Sequence, residues 1–183
     1  MMARRSTITV IYLTISMLLA SCSMAAYKCH DPLGCMEIPP GSPVVVGAIL
    51  ATNGTLSPIG TASLQSIKEV ITTKGEILGH SIELVHYGTD CTIISAQIAA
   101  TNLATDPDLL AVVGPTCAEE ALVALPILTD AGIVSLSPAP DSLAADKMMS
   151  LIIAAIEQVA IQEQDHTLYI PRQTLGDALI ISP

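Results

Sequence analysis

VVVGAILATNGTLSPIGTASLQSIKEVITTKGEILGHSIELVHYG, residues 44–88, is the stretch that decides the fold. It opens on Val44-Val45-Val46-Gly47-Ala48-Ile49-Leu50, a nearly continuous apolar run of the kind a strand needs when both its faces are covered. Thr52-Asn53-Gly54-Thr55 with Ser57-Pro58 then reads as a loop. Over residues 60–74 the apolar side chains Leu64, Ile67, Val70 and Ile71 fall at helical spacing, and Gly75 and Gly79 end the unit. Residues 81–87 alternate like a strand. A buried strand, a helix and a second strand in immediate succession predict a parallel pairing.

The pattern continues outward. Residues 92–105 read as a helix stopped by Asp106-Pro107, Leu109–Val113 as a third strand, 118–131 as a third helix and 133–136 as a fourth strand. The expected fold class is therefore α/β, a parallel sheet with helices on both faces. Ligands bind such sheets beyond the C-terminal strand ends, which singles out loops 51–59, 88–92, 114–118 and 137–142. Further on, residues 143–164 read as one long apolar helix, 167–170 as a short strand and 171–179 as a helical turn or two.

With 183 residues, 51% hydrophobic and 13% charged, the chain can bury a core, although an aliphatic one: it has no Trp, no Phe and four Tyr. Its net charge of −10 repels phosphate backbones, so nucleic acid is not an expected partner.

Arg4 and Arg5 followed by the apolar run of residues 8–20 form a secretory leader, too short for a spanning helix. Leu19-Ala20-Ser21-Cys22 resembles the bacterial lipoprotein signal, which implies removal of residues 1–21 and acylation of Cys22; cleavage of an ordinary signal near Ala26 is the alternative. Loss of the two arginines would take the net charge to −12. Export implies an oxidising compartment, so Cys29, Cys35, Cys91 and Cys117 are candidate disulfide partners. Cys29 and Cys35 flank the turn-rich His30-Asp31-Pro32-Leu33-Gly34 and could close a small ring; a metal site using His30 would lack a fourth ligand nearby. Ile38-Pro39-Pro40-Gly41-Ser42-Pro43 reads as a stiff linker lifting the domain from the membrane. The expected organisation is leader 1–21, extension and linker 22–43, lobe 44–140 and C-terminal remnant 141–183.

Several stretches resemble the branched-chain amino acid receptors of ABC importers, the type I periplasmic binding proteins. They are Val46-Gly47-Ala48 with its following loop, Gly75-Glu76-Ile77-Leu78-Gly79-His80-Ser81-Ile82-Glu83-Leu84-Val85, and Val112-Val113-Gly114-Pro115-Thr116-Cys117. Pro126-Ile127-Leu128, Ala131-Gly132-Ile133-Val134 and Ser137-Pro138-Ala139 complete the series, in the family's order over residues 44–140. The resemblance implies the N-lobe of a two-lobed receptor and a disulfide between Cys91 and Cys117, which occupy the family's two positions; two buried free thiols are the alternative. It also implies that a ligand carboxylate meets backbone N–H groups around Cys117 and Ala118 and in the 139–142 loop, at Ala139 and Asp141. Ile59 stands where the family often has an aromatic cover.

The chain departs from that pattern. Ala118 has no hydroxyl, Asp141 adds negative charge, and the junction at residues 142–147 leaves most of a second lobe out. Glu119 and Glu120 in a first helical turn are explained by the helix dipole alone. Ser137 and Ser142 fit turns or caps as readily as ligand contacts, and Asn53-Gly54-Thr55 fits a turn as well as a glycosylation sequon.

The leading functional expectation is a lipid-anchored solute receptor of an ABC importer, binding an amino acid or similar small polar solute beside a membrane permease. The other is a truncated, non-binding lobe displayed on the envelope. Catalysis is not expected: the dinucleotide fingerprint, phosphate loop and nucleophile elbow are absent, and His30, His80, His86 and His166 are scattered. No cofactor or metal is expected. Leu151, Ile152, Ile153, Ala155, Ile156 and Val159 must pack on the sheet or on another chain, which makes a homodimer through the late helix a candidate assembly.

Overall fold

The computed structural model describes residues 27–137 and 144–181. The leader 1–21, Cys22, and Ala139, Asp141 and Ser142 of the 137–142 loop lie outside the described residues. Five strands form the main sheet: β2 (Val44–Leu50), β3 (Glu76–Ile77), β4 (His80–Gly88), β5 (Leu109–Val113) and β6 (Val134–Leu136), in the order β3-β4-β2-β5-β6. β4, β2, β5 and β6 run parallel, and only the two-residue β3 is antiparallel, to β4. The turn between them puts Leu78 at φ 51° and Gly79 at φ 86°, the two left-handed residues that a tight hairpin requires.

β2 is buried along its whole length because it is central and covered twice. Val44, Val46, Ala48 and Leu50 face one apolar cluster, and Val45 and Ile49 face the other. On the first face lie α1 (Ser57–Lys74), α4 (Ala145–Val159) and α5 (Arg172–Ile181); on the second lie α2 (Ile93–Ala104) and α3 (Ala118–Asp130). Gly47 lets Leu103 of α2 sit against the sheet, since a Cβ there would stand 3.2 Å from its Cδ2 and 3.0 Å from Val112. The α/β class, with its parallel sheet between helices, is thus what the apolar runs and periods specify.

Two regions differ from the sequence reading. The long helix expected over 143–164 stops at Val159: Ala160 turns extended at φ −64°, ψ 136°, and β7 (Ile161–Gln162) pairs with β8 (Leu168–Pro171). The β-branched Ile161, opposite Tyr169, is better placed in that hairpin than in another helical turn.

The second difference concerns the segment read as extension and linker. Its residues Cys35–Ile38 form strand β1, antiparallel to β8, in a second sheet ordered β1-β8-β7. Met36 and Ile38 enter the core, so this part of the chain docks against the domain instead of holding it off. Asp31 strengthens the docking by capping α5: its carboxylate accepts the N–H groups of Gln173 and Thr174, each at 3.1 Å, and the Thr174 hydroxyl at 3.0 Å.

The late helix follows one of the two alternatives the sequence left open, packing on the sheet: α4 buries Met148, Met149, Ile152, Ile153, Ala155 and Ile156 within the chain. Its own sheet and helices cover that apolar face.

Candidate functional site

The parallel strands end together. Leu50 pairs with Gly88, Ala48 with Val113, and Val113 with Leu136, so the loops after β2, β4, β5 and β6 emerge at one sheet edge. Hydrogen bonds lace them. Thr89 donates its N–H to Leu50 O at 2.8 Å and accepts that of Asn53 at 2.9 Å. Ala51 donates its N–H to the Thr116 hydroxyl at 3.1 Å. The Ser135 and Ser137 hydroxyls donate to the carbonyls of Gly114 and Pro115 at 2.7 and 3.0 Å, which gives Ser137 a structural task. The Gly114–Pro115 peptide is cis. Gly114, at φ 111°, passes so close to the Ile49 carbonyl that a Cβ would collide with it.

Two disulfides are present. Cys29–Cys35 closes the ring before β1, and Cys91–Cys117 joins the loop after β4 to the loop after β5, with Cα atoms 5.6 Å apart. Cys117 caps α3, and Cys91 sits in left-handed backbone at φ 64°.

Ile59 lies in the first turn of α1 and is 57% exposed at the site edge. Gly60 beside it lets α1 approach β2: a Cβ there would strike the Ala51 carbonyl. Ala118 is exposed as the first residue of α3. The Cys117 N–H, which the family resemblance offers to a ligand carboxylate, is donated to Glu120 Oε2 at 3.3 Å. Glu120 is thus an internal cap, fully buried, and its Oε1 has no hydrogen-bond partner among the described residues. The sequence places Glu120 in the first helical turn but contains no signal that its side chain folds inward.

Asp90, Thr92 and Ser95 at this edge serve the scaffold. Asp90 accepts the hydroxyls of Ser95 and Thr92, each at 2.7 Å, and these bonds hold its carboxyl below the usual carboxylate range. Thr92 in turn caps α2, accepting the Ser95 N–H at 3.2 Å. His86, half-buried at the end of β4, has its pKa lowered by burial and then by the charge of Lys68. Away from this edge, α1 and α4 border a groove of about 560 Å³ bridged by the Lys74–Glu157 ion pair at 2.7 Å.

No protein-family model matches the chain, and no curated protein matches its sequence. Its fold is similar to solved structures. One is the branched-chain amino acid transporter substrate-binding protein LivJ of Streptococcus pneumoniae in complex with isoleucine, 26% identical at a TM-score of 0.51, over 59% of this chain and 32% of that one. A putative branched-chain amino acid ABC transporter protein of Rhodospirillum rubrum matches at 17% identity and a TM-score of 0.51, over 58% of this chain and 32% of that one. An ABC transporter substrate-binding protein of Sphaerobacter thermophilus matches at 20% identity and a TM-score of 0.50, over 52% and 26%. The chain spans about a third of the length of the first of these (32%), and its α/β fold is similar to that of the solute-binding proteins of ABC transporters.

Proposed function

We propose that the chain is an extracytoplasmic solute-binding lipoprotein of an ABC importer, taking a small ligand of the branched-chain amino acid type. Cys22 carries the lipid, a membrane permease is the partner, and no covalent chemistry is done on the ligand. The observation that carries the reading is the convergence of four laced loops at one edge of a parallel sheet, in a fold similar to a protein solved with isoleucine.

In this reading Ile59 covers the ligand's apolar part, while backbone amides of Ala118, Ala139 and Asp141 meet its carboxylate. Binding by this chain is weak, because the Cys117 N–H already serves Glu120 and Ala118 brings no hydroxyl. Calorimetry of the full chain with leucine, isoleucine and valine tests this. Saturable binding near ~1 mM, about −4 kcal/mol, is expected.

The bond from Cys117 N–H to Glu120 favours a second reading, a lobe that binds no solute. Absence of heat and of any melting shift with all three amino acids at tens of millimolar, on the order of tenfold above that constant, would select it.

A further inference from the structure

Glu120 is a carboxylate inside the protein with one oxygen left over. Its Oε2 accepts the Cys117 N–H, while Oε1 is buried and unpartnered among the described residues. Such an oxygen is costly unless something donates to it or coordinates it. What lies beside it is sulfur: a Glu120 carboxylate oxygen, Cys91 Sγ and Cys117 Sγ are all within 4.8 Å of one another. As a disulfide the two sulfurs offer Glu120 neither a proton nor a cation. Once reduced, they are two thiols facing a carboxylate.

Two thiolates and a carboxylate supply three ligands of a tetrahedral zinc site. Bonds of about 2.3 Å to sulfur and about 2.0–2.2 Å to oxygen would bring three such atoms into the span they already occupy. The scaffold favours the arrangement. The Ala51–Thr116 and Thr89–Leu50 hydrogen bonds tie the two cysteine loops to β2, so proximity of the sulfurs does not depend on their covalent bond alone. Cys117 sits at the positive end of α3, which favours a thiolate. Both cysteines are half-buried, within reach of a reductant and an ion, and Glu120 lies beneath them.

We propose that the reduced chain binds a zinc-type divalent cation through Cys91, Cys117 and Glu120, with water in the fourth position. The cation then replaces the disulfide as the staple between the loops after β4 and β5. A dithiol supplies two electrons and two protons and leaves as its own disulfide; the S–S bond breaks and two S–H bonds form. Metal binding displaces both protons to solvent. The proposal is independent of the solute-binding reading.

The test uses the full chain carrying Cys22→Ser, Cys29→Ser and Cys35→Ser, so that Cys91 and Cys117 are the only thiols, reduced with a phosphine and titrated with Co²⁺. One equivalent should bind with thiolate-to-metal charge-transfer absorption, and Zn²⁺ should displace it. The oxidised chain should show none. Cys91→Ser should abolish the absorption, and Glu120→Gln should weaken binding by about tenfold or more. Zn²⁺ should also raise the melting temperature of the reduced chain and leave the oxidised one unchanged. If reduction alone unfolds the chain, Zn²⁺ must restore its far-ultraviolet dichroism. Absence of thiolate absorption in the reduced chain, affinity untouched by Glu120→Gln, or failure of Zn²⁺ to stabilise or refold it would overturn the proposal.

Discussion

His86 is an ionisable ring whose charged form the fold disfavours. Burial, then the neighbouring Lys68 charge, lowers its pKa below the ordinary 6.5. As pH falls through that value the unfolded chain takes up the proton first, so stability should decline between about pH 7 and the lower folded pKa, and then level off for this group. His86→Gln should flatten that part of the curve; urea melts at pH 7.5 and 5.5 read it, and an unchanged slope in the variant would remove His86 as the cause. Gly60 makes a steric demand at the same scale. Its missing Cβ is the space occupied by the Ala51 carbonyl, so Gly60→Ala must push α1 off the end of β2. The expected cost is about 1–3 kcal/mol by denaturant titration, despite alanine's better helix propensity.

At the scale of elements, the docked N-terminal segment is the least expected feature. Asp31 holds it to α5: burial pushes its carboxyl up, but the N–H groups of Gln173, Thr174 and Leu33 and the Thr174 hydroxyl together bring it below 3.8. Its contribution should be present above about pH 4 and fade as pH falls through the lowered value. Asp31→Ala should therefore cost about 0.5–2 kcal/mol at pH 7 and less near pH 2. Ile38→Ala, at the buried end of β1, should cost about 2–5 kcal/mol. Neither interaction was legible in the sequence. Residues 35–38 alternate, but four residues beside Pro39-Pro40 carry too little pattern to separate a strand from a linker, and the partner strand begins only at Leu168. β2 was legible for the opposite reason: burial on both faces forces an apolar run. The inward turn of Glu120 is a rotamer choice that depends on the Cys117 amide across the helix turn, which residue type alone does not encode. The end of α4 was misplaced because Ala160 and Ile161 continue the apolar pattern past Val159, and the break at Ala160 is set by pairing with β8.

At the scale of the molecule, charge and anchoring pull in opposite directions. Seventeen acidic residues against seven basic ones leave the chain at −10, and at −12 once Arg4 and Arg5 are removed with a leader. A surface of that sign is repelled by anionic headgroups. Among the described residues no helix is long and apolar enough to cross a membrane. In the proposed reading membrane residence comes from lipid on Cys22, each buried methylene contributing about 0.8 kcal/mol and two or more chains giving stable attachment. Expressed in a bacterial host, the full chain should partition into the detergent phase and resist washing with salt, because acyl burial is not screened while surface charge is. Cys22→Ser should release it to the aqueous phase with its fold intact. A variant that stays with the membrane, or a natural chain that salt alone removes, would show that something other than Cys22 holds it there.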